Sequence, residues 1–400
     1  MRMMTWTAAL ALLTWALHGS TVGADWPNWR GPAWDGKSPE TGINKDWKTK
    51  PPKELWRIKM SDEGFAGPCI AGGKLFITDH DAAGNQDLLR AIDANTGKDL
   101  WRYGFPTVAA PNYGWSNATP AFDANRLYLL SRSGQLHCLD PEKGTRIWMR
   151  DLKADFKANS LFDFSSSPVI DGNNLIIATG GPNLMVALNK ETGADAWKSA
   201  LENAANCCTP LVAALKGKRQ CMVFTFDKLV SVDASTGQKL WELPATYYIP
   251  SPIVAGDNIF YGATGSAPFS CALVTPEGTK VWENQNIAPH LGTPIYADGY
   301  VYGTTGPKQS GGLACIDAKT GAFAWQQNEG GFGELAMIAV DGVFLAFKDG
   351  GQLVMANLTP KAYEELGRLS IGGRGWTAPA VADGKLFIRN EQALVCFNLR

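Results

Sequence analysis

Net charge is what this 400-residue chain lacks first: 37 Lys and Arg stand against 38 Asp and Glu, leaving −1. That balance excludes a polycationic nucleic-acid binder, because no summed field steers a phosphate backbone. Histidine is also scarce, with four in all. Beyond the first 24 residues only His80, His137 and His290 remain, far apart and without metal-ligand spacing. No His-Glu-x-x-His, Walker loop, Gly-x-Ser-x-Gly elbow or Cys-x-x-Cys-His occurs. The corresponding zinc, phosphate-loop, hydrolase and haem chemistries therefore have no sequence support. No apolar run reaches the roughly 20 residues that cross a bilayer. At 45% hydrophobic and 19% charged, the chain has material for a large core and is not disordered.

The first residues read as a targeting segment. Arg2 precedes an apolar run over residues 6–17, and Val22-Gly23-Ala24 ends in a small residue suited to signal peptidase. Residues 1–24 are thus expected to be a signal peptide cleaved near Ala24, with a secreted or periplasmic product. Asp25, not Cys, would then begin the mature chain, which argues against a lipid anchor. Six of the eight cysteines (Cys69, Cys138, Cys221, Cys271, Cys315 and Cys396) fall in apolar strand-like runs and are expected to act as small buried hydrophobes. Cys207-Cys208, directly adjacent, is the exception.

Tryptophan and glycine are abundant, at 15 and 43. The tryptophans follow a recurring phrase: Asp or Asn, two residues, Thr or Lys, Gly, three residues, Trp. It places Trp101, Trp148, Trp197, Trp241, Trp282 and Trp325 at spacings of 47, 49, 44, 41 and 43 residues. A second phrase, with Pro before an apolar strand, precedes the copies at Pro68, Pro120, Pro168, Pro210, Pro252, Pro294 and Pro379. Residues 337–347 keep its strand–turn–strand pattern without the Pro, and residues 358–368 replace the Trp phrase in that seventh copy. Each copy reads as four short strands between Gly, Asn and Asp turns. The Asp caps a tight turn, the Gly takes its positive-φ corner, and the Trp docks between neighbouring sheets. Repeats of this length predict an all-β, eight-bladed β-propeller of four-stranded antiparallel blades. The last copy lacks its Trp strand, and Glu54-Leu-Trp56-Arg lies 45 residues before Trp101. An N-terminal strand is therefore expected to complete the last blade. The domain division is residues 1–24 signal peptide, 25–53 a Trp-rich arm, and 54–400 the propeller.

The phrases AIDANTGKDLW, SVDASTGQKLW and CIDAKTGAFAW resemble the tryptophan-docking motif of the pyrroloquinoline quinone repeat family. The stretch Trp26-Pro-Asn-Trp29-Arg30-Gly31-Pro32 resembles an extension seen before such propellers in secreted bacterial proteins. The resemblance implies one of two functions. Quinoprotein dehydrogenases hold the quinone and Ca²⁺ in the hub; the BamB-like branch is a scaffold of outer-membrane assembly that binds partners and no cofactor. Compact blades favour the scaffold, and the absent lipidation Cys departs from BamB itself. Adjacent cysteines resemble the vicinal disulfide of quinoprotein alcohol dehydrogenases, although Thr209-Pro210 follows them here, and two free thiols are the alternative.

Residues just before each innermost strand are expected to face the central funnel. The candidate set is Trp115, Asn117, Ser165, Asn206, Cys207, Cys208, Tyr248, His290, Glu334, Arg374 and Trp376, with Phe65, Ser116, Phe164, Ser166 and Tyr247 beside them. Aromatic platforms, one acid, one guanidinium and several amides or hydroxyls suit a small-molecule pocket, or simply cap the hub. No Asp falls at these positions, which tells against a quinoprotein base. Arg374 is expected to meet a carboxylated cofactor or an acidic partner, or to pair with Glu334. Trp56, Trp101, Trp148, Trp197, Trp241, Trp282 and Trp325 are assigned to docking, and the arm to partner binding or to covering apolar surface. The resulting expectation is a monomeric scaffold that binds a protein partner or small-molecule ligand without catalysis, cofactor or metal. The alternative is a quinone- and Ca²⁺-dependent dehydrogenase of a small alcohol or sugar.

Overall fold

A computed structural model describes residues 24–60, 64–107, 114–115, 117–160, 163–203, 207–245, 249–263, 270–306 and 310–400. The signal-peptide reading of residues 1–24 falls almost wholly outside them. The described residues form eight blades of four antiparallel strands, each a meander running outward from a short strand at the hub, the seventh extended by a two-residue parallel strand. The blades span residues 69–106, 121–151, 169–198, 211–244, 253–284, 295–327, 336–370 and 380–398. The eighth is completed by Lys53–Lys59, antiparallel to Ala393–Asn398, so the ring closes as expected. One five-residue helix, Leu152–Phe156, is the only helix among the described residues.

Each outer strand carries the same irregularity. In the first blade Trp101 sits opposite Ala91, yet Asp99 sits opposite Ile92, so Leu100 is an extra residue. The bulge bends the strand, leaves Leu100 exposed and turns the Trp toward the next blade. There the indole Nε1–H donates to the carbonyl just after the turn's Asp, Asn or Thr. Trp56 reaches Ala94 O (3.2 Å), Trp101 reaches Pro141 O (3.0 Å), Trp148 reaches Lys190 O (3.2 Å) and Trp197 reaches Ala234 O (2.9 Å). Trp241 reaches Pro276 O (2.7 Å) and Trp282 reaches Ala318 O (3.0 Å), while Trp325 reaches Thr359 O (2.8 Å) in the copy without the phrase.

In all of these but Trp325 the ring itself lies on the turn glycine of that next blade. A Cβ at Gly97 would come within 2.8 Å of the Trp56 ring, and one at Gly144 within 2.6 Å of Trp101, with φ of +71° and +66°. Glycine is thus required twice, for the positive φ and for the ring contact. The preceding Asp accepts from the turn's backbone, as Asp93 Oδ1 does from Asn95 N–H (3.0 Å) and Thr96 N–H (2.8 Å).

The seventh blade departs from the pattern in an instructive way. Gly367 takes the bulge register opposite Met355, the place where every other blade carries its Trp. A Cβ there would meet Trp47 Cβ at 2.6 Å. Trp47 of the arm, 3% exposed, packs in the core between the seventh and eighth blades. The eighth docking tryptophan is therefore supplied from a distant part of the chain. Its Nε1 has no hydrogen-bond partner among the described residues, because the eighth blade has no turn phrase to present the usual carbonyl.

Candidate funnel site in the propeller hub

The hub is stitched by hydroxyls. Gly67 N–H donates to Thr119 Oγ1 (2.9 Å), Thr119 N–H to Ser167 Oγ (3.0 Å) and Ser167 N–H to Thr209 Oγ1 (3.0 Å). Ser251 Oγ donates to Thr209 O (2.7 Å), and Ser251 N–H to Thr293 Oγ1 (3.1 Å). Each bond joins one blade to the next. This is the physical reason for Ser or Thr before the Pro: the hydroxyl pairs a buried N–H that no sheet ladder reaches.

The arm crosses this hub. Trp26 exchanges backbone hydrogen bonds with Ile70 in the first blade (2.9 and 2.8 Å), and Phe122 N–H of the second donates to Pro27 O (2.8 Å). Arg30, at φ +64°, reaches the sixth blade, donating from Nη1 to Thr293 O and from Nη2 to Pro294 O, both at 2.7 Å. Ala339 N–H then donates to Gly36 O (2.8 Å), and Lys37–Ser38 pairs in parallel with the innermost strand of the seventh blade.

Between the arm and the blades lies a cavity of about 130 Å³. Trp29 and Arg30 line it from the arm. From the blades come Phe65, Asn117, Ser165, Cys207, Ile249, Leu291 and Trp376, together with the residues of the hydroxyl ring. These seven all stand three residues before the Pro of the second phrase or, equivalently, two before the ring position. Strand alternation sends that position into the hub.

Of the expected set, Asn117, Ser165, Cys207, Cys208 and Trp376 line the cavity. Asn117 Oδ1 accepts from Phe65 N–H (3.3 Å), and the buried Ser165 hydroxyl has no nitrogen or oxygen partner. Asn206 and Tyr248, with Ser116 and Tyr247, lie outside the described residues. Four residues go elsewhere. Trp115 stacks on the buried His80 imidazole, centroids 3.5 Å apart and planes within 3°, while His80 Nδ1 bonds Asp87 Oδ1 (3.0 Å). His290 Nδ1 pairs with Glu334 Oε1 (3.0 Å), joining the sixth and seventh blades. Arg374 does not meet Glu334: its guanidinium pairs with Glu391 and lies 4.9 Å from the centroid of Trp376. That carboxylate is closer in the fold, and the aromatic face holds the flat cation.

Trp376 itself packs on Phe65 (4.7 Å) and donates from Nε1 to Asp349 Oδ1 (2.7 Å). Asp349 and Asp163 thus stand behind the wall, the latter paired with Arg132 Nε (2.8 Å). Neither was marked by position relative to the Pro phrase. Cys207 and Cys208 are not joined in a disulfide. Cys208 Sγ turns to the blade and accepts from Phe224 N–H (3.2 Å). Burial pushes its thiol up to about 12 and raises Cys207 as well, so neither is a ready nucleophile at neutral pH. Among the described residues no group of three or more His, Cys, Asp and Glu is able to hold a metal, and no helix is long and apolar enough to cross a membrane.

Sequence reasoning missed Trp29, Arg30, Ile249 and Leu291. The last two are one residue past Tyr248 and His290, and the three-before-Pro rule identifies both. The arm pair has no repeat partner to mark it.

Known proteins share this architecture. Outer membrane protein assembly factor BamB of Yersinia pestis is 20% identical over 344 residues, 81% of this chain and 84% of that protein. Quinohemoprotein alcohol dehydrogenase ADH-IIG of Pseudomonas putida is 26% identical over 155 residues, 36% of this chain; the match spans only 20% of that enzyme. In three dimensions, quinohemoprotein alcohol dehydrogenase from Comamonas testosteroni superposes with a TM-score of 0.71 at 14% identity, over 94% of this chain and 80% of that one. Residues 84–327, more than half the chain, match the family described as outer membrane protein assembly factor BamB. The chain belongs to that family of quinone-repeat propellers.

Proposed function

We propose that the protein is an extracytoplasmic BamB-like propeller that binds a protein partner or small ligand and performs no quinone-dependent oxidation. The observation that carries this reading is the arm across the hub, which leaves about 130 Å³ where cofactor pockets take roughly 300–1,000 Å³. A quinone dehydrogenase needs room for a fused tricyclic tricarboxylate beside a cation held by several oxygens. Among the described residues the cavity lining carries no Asp or Glu, and its one guanidinium, Arg30, already donates to three backbone carbonyls. The residues present do not fit that pair. The leader-like residues 1–24 and the outer-membrane name of the matched family support a location beyond the cytoplasm.

The test is reconstitution of the purified protein with the quinone and Ca²⁺, followed by absorbance and dye-linked alcohol oxidation. No retained quinone and no turnover are expected. Stoichiometric uptake with turnover would overturn the reading.

A further inference from the structure

Arg30 is a buried cation on which the Asp35 carboxylate acts only through space. It is 3% exposed, and no carboxylate among the described residues pairs with it. The nearby Asp35 gives Arg30 only a backbone carbonyl (2.9 Å), and its carboxylate pairs with Lys37 (3.0 Å). The three carbonyls satisfy hydrogen bonds but carry no net charge, and Nε has no acceptor at all. A buried charge left uncompensated costs several kcal/mol. Burial lowers the Arg30 pKa to about 10, so the group stays protonated at neutral pH.

Among the described residues that line the cavity with Arg30, no other side chain is charged. The cavity adds the buried Ser165 hydroxyl, whose neighbour is the Cys207 thiol, and an apolar wall that includes Phe65, Ile249, Leu291 and Trp376. Its 130 Å³ is close to the roughly 150 Å³ cavity that accepts benzene, about six heavy atoms.

We infer that the hub is a binding site for a small organic monocarboxylate, with Arg30 as its counter-charge, Ser165 as a hydrogen-bond donor and the aromatic wall against a short apolar tail. This rests on the non-catalytic binding reading above and names the ligand class. Trp29 and Trp376 line the same cavity, so their fluorescence reports occupancy.

The experiment titrates the full chain with acetate, propionate and butyrate at constant ionic strength, with propionamide, chloride and sulfate as controls. Saturable fluorescence change and a raised melting temperature with propionate or butyrate are expected, with no response to propionamide. Arg30→Gln should weaken binding roughly ten- to hundred-fold, the range for a charge-assisted hydrogen bond. Because Arg30 also anchors the arm, Ser165→Leu serves as a second variant. It fills the cavity and should abolish binding while the melting temperature without ligand stays within a few degrees. Equal response to chloride or sulfate, or no response to any carboxylate by the folded protein, would overturn the inference. Failure there leaves the binding-propeller reading standing, since only quinone uptake with turnover contradicts that.

Discussion

Trp47 offers the sharpest test of how the ring is held. It stands in for the missing eighth docking tryptophan, but unlike the other seven its Nε1 is buried without an acceptor. Trp47→Ala removes a buried indole from the seventh-to-eighth blade junction, at a cost of about 3–5 kcal/mol. Trp47→Phe keeps most of the ring and removes the unpaired donor, relieving a penalty of roughly 1–3 kcal/mol. Trp101→Phe makes the same exchange where the donor is paired with Pro141 O at 3.0 Å, so it loses a bond instead. The two Phe variants should therefore differ by about 1–3 kcal/mol, Trp47→Phe being the more stable. For about 350 described residues the melting entropy makes 1 kcal/mol worth roughly 1–2 °C. Scanning calorimetry should thus place Trp47→Phe about 2–4 °C above Trp101→Phe, and Trp47→Ala about 4–7 °C below the parent. Equal melting of the two Phe variants, or an unshifted Trp47→Ala, would refute the assignment of Trp47 as the eighth wedge.

The hydroxyl ring makes a contrast within one wall. Thr119→Val strands the Gly67 N–H and should destabilise by about 1–3 kcal/mol, whereas Ser165→Ala, which removes a hydroxyl without a nitrogen or oxygen partner, should be neutral or stabilising in denaturant titrations. Glu329 is held down to about 2, chiefly by its hydrogen bonds to Arg368, with Lys348 adding to it. A lowered carboxylate contributes stability above its unfolded value near 4.5 and loses it as pH falls toward 2. Glu329→Gln should therefore lower the melting temperature at pH 7, with the deficit closing across that window. Native Cys207 and Cys208 should react slowly with maleimide at pH 7 and faster as pH rises, because burial raises both thiols. Rapid labelling of either at pH 7 would contradict the raised thiols.

The blades were legible because their determinants are local and repeated. A capped turn, a positive-φ Gly and a Trp four residues on define one strand connection, and six of the eight interfaces follow from it, the seventh keeping only the Trp325 bond to Thr359 O. The eighth was not, since Gly367 and Trp47 meet only in three dimensions and neither belongs to a turn phrase. The funnel was legible in the blades where the hub-facing residue was read in the right phase, as for Asn117, Ser165, Cys207 and Trp376. It was lost at His290, one residue short of Leu291, where a one-residue error in phase turns a side chain to the other face. Trp115 and Arg374 were drawn off by stronger neighbours, the His80 ring and Glu391. Trp29 and Arg30 were hidden because a non-repeating arm gives no internal comparison.

The arm's place in the hub is tested most directly by amide hydrogen exchange at Ile70, Phe122 and Ala339. Their N–H groups lie on innermost strands and donate to Trp26 O, Pro27 O and Gly36 O of the arm, each at 2.8 Å. With the arm in place all three should be strongly protected, and in a variant lacking residues 25–38 they should exchange with the freely exposed amides. Fast exchange at these three positions in the intact protein would mean that the hub is open, and would contradict both the small cavity and the binding function built on it.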